Sequence, residues 1–239
     1  MQSIPTKMGQ IFNPQLQSLL AMMQLTDSAL PTGAFSHSLG FESYLERGLV
    51  SDQASFANWL QMFVEQQLTF TDALAIRCLY AASDFADLVD LDELITAQAL
   101  PAQIRNSGIT MGKRLLDLGA QSYPGDWILG YQEQVKQGRM YAHQALVWAV
   151  LARSLQIDLE EAIASNLYST VISLTQNAVR AIPLGQNAGQ VIIRQAQVWV
   201  QQAVLDSAEL GYQDLGAISP GLEIAQMNHE VQRARLFMS

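Results

Sequence analysis

The sequence is short of charge. Only 15% of its 239 residues are Asp, Glu, Lys or Arg, against ~25% in ordinary soluble proteins. The 13 Lys and Arg are outnumbered by 22 Asp and Glu, for a net charge of −9. Phosphates ask for a basic face, so this balance argues against nucleic acid and against an anionic membrane surface. The single Cys78 excludes an internal disulfide framework and a Cys-based zinc site. It lies in an apolar stretch, where a buried thiol is expected rather than a nucleophile. The three histidines, His37, His143 and His229, are far apart and fit no metal-ligand spacing. Nucleotide signatures of the GxxxxGK[ST] and GxGxxG types are missing. The longest strongly apolar run, Ala145 to Ala152, is too short to span a bilayer, and the opening MQSIPTKMGQIF lacks an apolar signal core. These absences lead to the expectation of a soluble, cytoplasmic protein without a nucleotide or metal motif of its own.

What is present is helical periodicity. Phe56, Trp59, Leu60, Phe63, Val64 and Leu68 recur at the spacing of one helix face. Leu159, Ile163, Leu167, Val171, Leu174 and Ala178 form a second stripe, and 186–206 a further helix with Val191, Ile192, Val198, Trp199 and Leu205. Ser51 or Asp52 is placed to cap the first and Asp158 the second. Residues 140–157 are apolar nearly all round, which suits the centre of a bundle or a dimer seam. Strand alternation and Asn-Gly or Asp-Gly hairpin turns are absent. Breaks at Pro31–Gly33, Pro101, Tyr123–Gly125, Ile182–Gly185 and Ser219–Gly221 each join helical segments. The expected fold is an all-α single-domain bundle of roughly eight to ten helices. Residues 1–14 are read as a flexible tail, 15–219 as the helical domain, and 220–239 as a C-terminal tail of the same domain. At 49% hydrophobic, a chain so poor in charge is expected to have part of its surface covered by a partner.

Two constellations carry possible chemistry. Asp27, Ser28, Ser36 and His37 offer the residue types of a hydrolase triad, but no GxSxG elbow accompanies them, and Ser, Asp and Gly around Pro31 are also what a tight interhelical loop uses. Asp84, Asp87, Asp90, Asp92 and Glu93 form an acidic stretch, which without EF-hand spacing reads as a solvated helix face or loop rather than a cation site.

Three segments form a recognisable set. The first runs from Leu25 through Leu30-Pro31-Thr32-Gly33, then Phe35, Ser36, Gly40 and Glu42. The second is Arg180 before Pro183-Leu184-Gly185-Gln186. The third runs from Pro220 to the end, with His229-Glu230 followed by Arg235-Leu236-Phe237-Met238-Ser239. In this order and at these positions they resemble the motifs of the UreF family of urease accessory proteins, and the resemblance covers essentially residues 15–239. Two departures stand out. Gln103 lies where relatives often carry an acidic residue, which leaves a local ion pair open, and Trp148-Ala149 replaces a frequent Phe-Gly.

The resemblance implies a non-enzymatic adaptor in urease maturation. It would bridge a second accessory protein (UreD, also called UreH) and the GTPase UreG, so that nickel enters apo-urease. Cofactors are expected to be none, with nickel and GTP handled by the assembled complex, and a homodimer is expected. The partner-binding residues implied are Phe35, His37, Glu42, Arg180, Gln186, His229, Arg233, Arg235, Leu236 and Phe237. One rival is a GTPase activator using Arg180, Arg233 or Arg235 as an arginine finger; a remoter one is a Ser36/His37 hydrolase. Physically, Pro31 and Gly33 permit a turn presenting Phe35 and His37 outward. Gly185 permits a positive φ after Pro183 stops a helix, and Arg180 would favour that helix's C-terminus. The tail is expected to offer an exposed Leu236-Phe237 pair as the grip for the second accessory protein.

Overall fold

The computed structural model describes residues 13–217 and 219–239. Asn13 caps the first helix, its side chain accepting from the backbone N–H groups of Gln15 and Leu16 at 3.0 and 3.3 Å. Helix α1 therefore starts at Pro14 (Pro14–Leu25), inside the segment expected to be tail; the rest of that segment, 1–12, lies outside the described residues. Then follow a 3-10 turn (Ala34–Ser36), α2 (Phe41–Glu46), α3 (Gln53–Met62), a π-helical stretch (Phe63–Ala73), α4 (Leu74–Ala81), α5 (Phe85–Gln98) and α6 (Ala102–Ser122). The chain continues through α7 (Asp126–Lys136), α8 (Gln144–Ser154), α9 (Leu159–Ala181), α10 (Gln186–Ala208) and α11 (Pro220–His229). Because α3, the π stretch and α4 run on without a break, the described residues hold ten continuous helices and no strand.

Capping follows the expected chemistry in part. Asp52 accepts from Ser55 N at 2.9 Å and closes a capping box, whereas Asp158 occupies the cap position of α9 without a side-chain bond. The segment apolar on all faces is the centre of the bundle: every residue from Ala145 to Ala152 of α8 is buried, packed among α4, α5, α6, α7 and α9. It is therefore not available as a dimer seam. Trp148 satisfies its indole there by donating to Ala162 O at 2.7 Å. The stripe from Phe56 to Leu68 is buried, as is that of α9 from Ile163 to Ala178. On α10 the expected face is split. Ile192 is buried, but Val191, Val198 and Leu205 are exposed, and Ile193, Ala196, Val200, Ala203 and Val204 point inward instead. Cys78 is half-buried, and burial pushes its thiol pKa up, as befits an inert side chain.

The acidic run at 84–93 does not stay on the surface as one face. Asp84 caps α5 with Asp87 in a capping box, while Asp92 is fully buried. Its carboxylate accepts from Tyr131 OH at 2.6 Å and from the backbone N–H groups of Tyr141, Ala142 and His143. Those bonds hold Ala142 at a left-handed φ of 66°, a strained conformation that persists only where the surroundings impose it. Gly112 of α6 completes the junction, because a Cβ there would lie 1.8 Å from the Ala142 carbonyl oxygen.

Candidate functional site

The loop from Pro31 to Gly40 is bent by left-handed residues, with Gly33 at φ 91°, Leu39 at 54° and Gly40 at 98°. Gly40 is needed for closeness as well, since a Cβ would stand 2.7 Å from Gln226 Cγ on α11. Helix α11 is fixed against this loop and α2 by two further bonds. Gln226 Nε2 donates to Leu39 O at 3.0 Å, and Ser43 Oγ donates to Ala225 O at 2.6 Å.

The last residues close the arrangement. Met238 N donates to Ser36 O at 2.8 Å, and Ser239 O accepts from the backbone N–H groups of Ser38 and Leu39. Glu42 Oε2 lies 3.1 Å from Phe237 N and 2.9 Å from His229 Nε2, and its other oxygen accepts from Leu236 N. The tail thus lies across the loop, held there through its backbone. Phe237 and Ser239 point in, while Leu236 and Met238 point out at 69% and 67% exposure.

Several expectations are corrected here. Residues 220–239 are not a free terminus but pack on the body: Leu222, Ala225, Gln226 and His229 of α11 are buried, and so is Phe237. The Leu-Phe pair divides because the chain bends at Leu236 and Phe237 and only the Phe237 ring turns inward. His37 turns inward rather than outward, its Nδ1 2.8 Å from Ser239 Oγ and its carbonyl accepting from Asn177 Nδ2 at 2.7 Å. Ser36 is not its partner. Burial and the nearby Arg114 guanidinium lower the His37 pKa and keep the ring neutral. Glu42 and His229 are likewise enclosed, so they support the surface without forming it. Gly185 adopts φ −71°, an ordinary conformation, because α9 has already ended at Ala181 and the chain enters α10 extended.

Arg180 lies in the last turn of α9, and its placement goes beyond the dipole role. Its guanidinium donates to Phe35 O and Asn177 Oδ1 and sits 5.2 Å from the Phe237 ring centroid, a cation–π contact. Arg114 similarly donates to Thr32 O at 3.0 Å. Phe35 is 59% exposed, and Arg233 and Arg235 are exposed. Phe35, Leu236 and Met238 are thus exposed on the loop and the tail it holds, and Arg180 joins the two through Phe35 O and the Phe237 ring. Gln186 stands exposed at the start of α10 and takes no part in these bonds. Of the three histidines, His37 and His229 are both drawn into this cluster. Among the described residues no group of three or more His, Cys, Asp or Glu is placed to hold a metal ion.

Sequence reasoning missed Asn177, Gln226 and Ser43, and it singled out Gln103 without its partner. Gln103 Oε1 lies 2.7 Å from His229 Nδ1, so the position lacking the acidic residue still contacts the histidine. A signal existed for Asn177: it is a polar residue on the buried face of α9, three positions before Arg180.

The model of the family described as UreF matches residues 50–197. The chain is 62% identical over 231 residues to a "Urease accessory protein UreF" of Kocuria rhizophila, covering 95% of this chain and 99% of that protein. It is 57% identical over 220 residues to the like-named protein of Corynebacterium efficiens, covering 92% and 96%. With that of Bacillus sp. strain TB-90 the identity is 38% over 227 residues, covering 94% and 100%.

Proposed function

Because the chain belongs to the UreF family of urease accessory proteins, we propose that it is a non-enzymatic adaptor of urease maturation. It joins the UreD/UreH accessory protein and the UreG GTPase on apo-urease, so that nickel enters the buried site. The observation that carries this reading is the patch over the clasped tail. Phe35, Leu236 and Met238 are large apolar side chains exposed on the loop and tail, which also carry exposed Arg233 and Arg235 and the Arg180 contact to Phe35 O. Apolar anchors with arginines are what protein interfaces concentrate. Glu42, His37 and His229 hold the backbone that presents them.

In this reading the protein works in the cytoplasm and carries no cofactor, and nickel and GTP belong to its partners. No described helix is long and apolar enough to cross a membrane. The protein acts as a homodimer. Its seam lies not on α8 but on a face such as that of α10, where Val191, Val198 and Leu205 stand exposed at seven-residue intervals. Light scattering of the wild type should give a dimer, alone or with partners, and Val198→Asp should weaken it. A monomer in both conditions counts against this part.

The test of function is reconstitution. Apo-urease, nickel, GTP and both accessory proteins should yield active urease only when this chain is added. Full activation without it, or activation by it with neither accessory protein present, contradicts the adaptor.

A second reading, activation of GTP hydrolysis, is favoured by one observation: Arg233 and Arg235 are exposed and form no ion pair among the described residues. An arginine finger raises turnover by ~10³–10⁵. Such an acceleration of GTP hydrolysis, abolished by Arg235→Ala or Arg233→Ala, would replace the purely bridging role.

A further inference from the structure

A cavity of about 120 Å³ lies between the π stretch, the C-terminal half of α5, the start of α6 and the entry to α8. Its walls are unusual in what they leave unmatched. Eight buried side-chain polar atoms lack a hydrogen-bond partner among the described residues, and five of them belong to residues that line this cavity. They are Gln67 Oε1, Thr96 Oγ1, Gln98 Oε1, His143 Nδ1 and Glu223 Oε1. A buried polar atom without a partner costs about 1–3 kcal/mol, so five around one space point to something that this space receives. Thr96 is the most enclosed, with 4% of its surface exposed.

The chemistry of the five atoms is one-sided. The two amide oxygens and the carboxylate oxygen only accept hydrogen bonds, and the threonine hydroxyl can accept. Burial lowers the His143 pKa and holds that ring neutral, so one of its nitrogens carries a lone pair. Asp72 adds a second carboxylate to the lining. Among the described residues the one lining cation is Arg105, whose Nη1 is turned to the backbone, donating to Ala99 O and Leu100 O at 2.8 and 3.1 Å. The occupant must therefore be rich in donors and favoured by positive charge. A transition metal is disfavoured, because no trio of His, Cys, Asp or Glu is gathered among the described residues. The volume suits a molecule of a few heavy atoms with accompanying water, at about 30 Å³ per water. Phe63, Leu68, Ile95 and Met111 supply apolar wall for a methyl group. One wall is an eleven-residue π-helical stretch, a geometry found mostly as single turns and frequently at functional sites.

We propose that this cavity is a binding site for a small ammonium-type cation, ammonium itself or a primary alkylammonium. Its N–H groups would be received by Thr96, Gln67 and Gln98, with Asp72 and Glu223 supplying the countercharge.

The test is a titration of the full chain followed by the imidazole ¹H–¹⁵N signals of His143. Ammonium chloride and methylammonium chloride are compared with sodium chloride and tetramethylammonium chloride at equal ionic strength. The site predicts saturable shifts with the first two salts and none with the controls. Thr96→Val, which keeps shape and removes the hydroxyl, and Asp72→Asn should each raise the half-saturation concentration at least about tenfold, with helical content unchanged. Equal shifts for all four salts, or shifts that never saturate, mean that the cavity holds water only and overturn the proposal. Saturation untouched by both substitutions places the cation elsewhere and also overturns it. If either variant fails to fold, the wild-type comparison of the four salts still decides.

Discussion

His229 Nε2 lies 2.9 Å from the Glu42 carboxylate, and both side chains are buried although 187 residues separate them. The same carboxylate accepts the backbone N–H groups of Leu236 and Phe237. One acidic side chain therefore ties the second helix, the last helix and the tail together. Replacing it leaves the buried His229 ring and the backbone N–H groups of Leu236 and Phe237 without this acceptor. Glu42→Ala should lower unfolding stability by about 3–5 kcal/mol and speed amide exchange at Phe237 and Met238. Denaturant unfolding and hydrogen exchange check both; unchanged exchange at the tail would show that Glu42 is not its anchor.

Gly112 and Gly108 lie one helical turn apart on α6 and should respond in opposite ways. A methyl at Gly112 meets the Ala142 carbonyl at 1.8 Å, whereas at Gly108 it meets nothing within 4 Å. Gly112→Ala should cost at least about 2–3 kcal/mol through overpacking against backbone. Gly108→Ala should be neutral or stabilising by up to about 1 kcal/mol. Thermal unfolding of the two variants side by side measures the contrast.

Asp92 receives four donors in the core. Asp92→Ala should destabilise by more than about 3 kcal/mol and release the strained Ala142. Loss of protection at the amides of Tyr141 and His143, ahead of global unfolding, would identify the bonds responsible.

The clasp and the core should both weaken in acid. The pKa values of His37 and His143 are lowered in the fold by burial, from an ordinary 6.5. Below 6.5 the unfolded chain takes up protons that the folded chain resists, so stability rises with pH in that range. The contribution is complete above pH 6.5 and is lost as pH falls through the lower folded values. Unfolding midpoints at pH 7.5 and 5.5 should differ in that direction, and less so in His37→Asn. A midpoint that rises on acidification would reverse the assignment.

Helix class, the buried stripes of α3 and α9 and the central place of α8 were legible because apolar periodicity reports burial directly. Long-range polar pairing was not. Nothing in the spacing of Glu42, His229 and residues 236–239 shows that they meet, since that meeting depends on how the helices pack. The apolar run Leu236-Phe237-Met238 was present, but three residues are too few to separate a clasp on the body from a frayed end. Asp92 misled for a related reason: a buried carboxylate and its solvated neighbours look alike until their donors arrive from elsewhere in the chain. On α10, exposed Val191, Val198 and Leu205 imitate a core stripe because apolar spacing does not say which of two apolar faces packs inward.

Because α11 and the tail are part of the folded body, truncation after Ser219 should lower the melting temperature as well as partner binding. Truncation alone therefore cannot isolate the docking face. Surface substitutions can, because Leu236, Met238 and Arg235 point outward from an intact clasp.

The most direct measurement is co-purification of tagged wild type and of a Leu236→Asp, Met238→Asp, Arg235→Glu variant with the two other accessory proteins. The account predicts that the wild type retains both. The variant should keep its wild-type melting temperature within a few degrees and lose the UreD/UreH protein by at least about tenfold in affinity, as expected when interface anchors are removed. A variant that is fully folded and still recovers both accessory proteins at wild-type yield would contradict the assignment of this face.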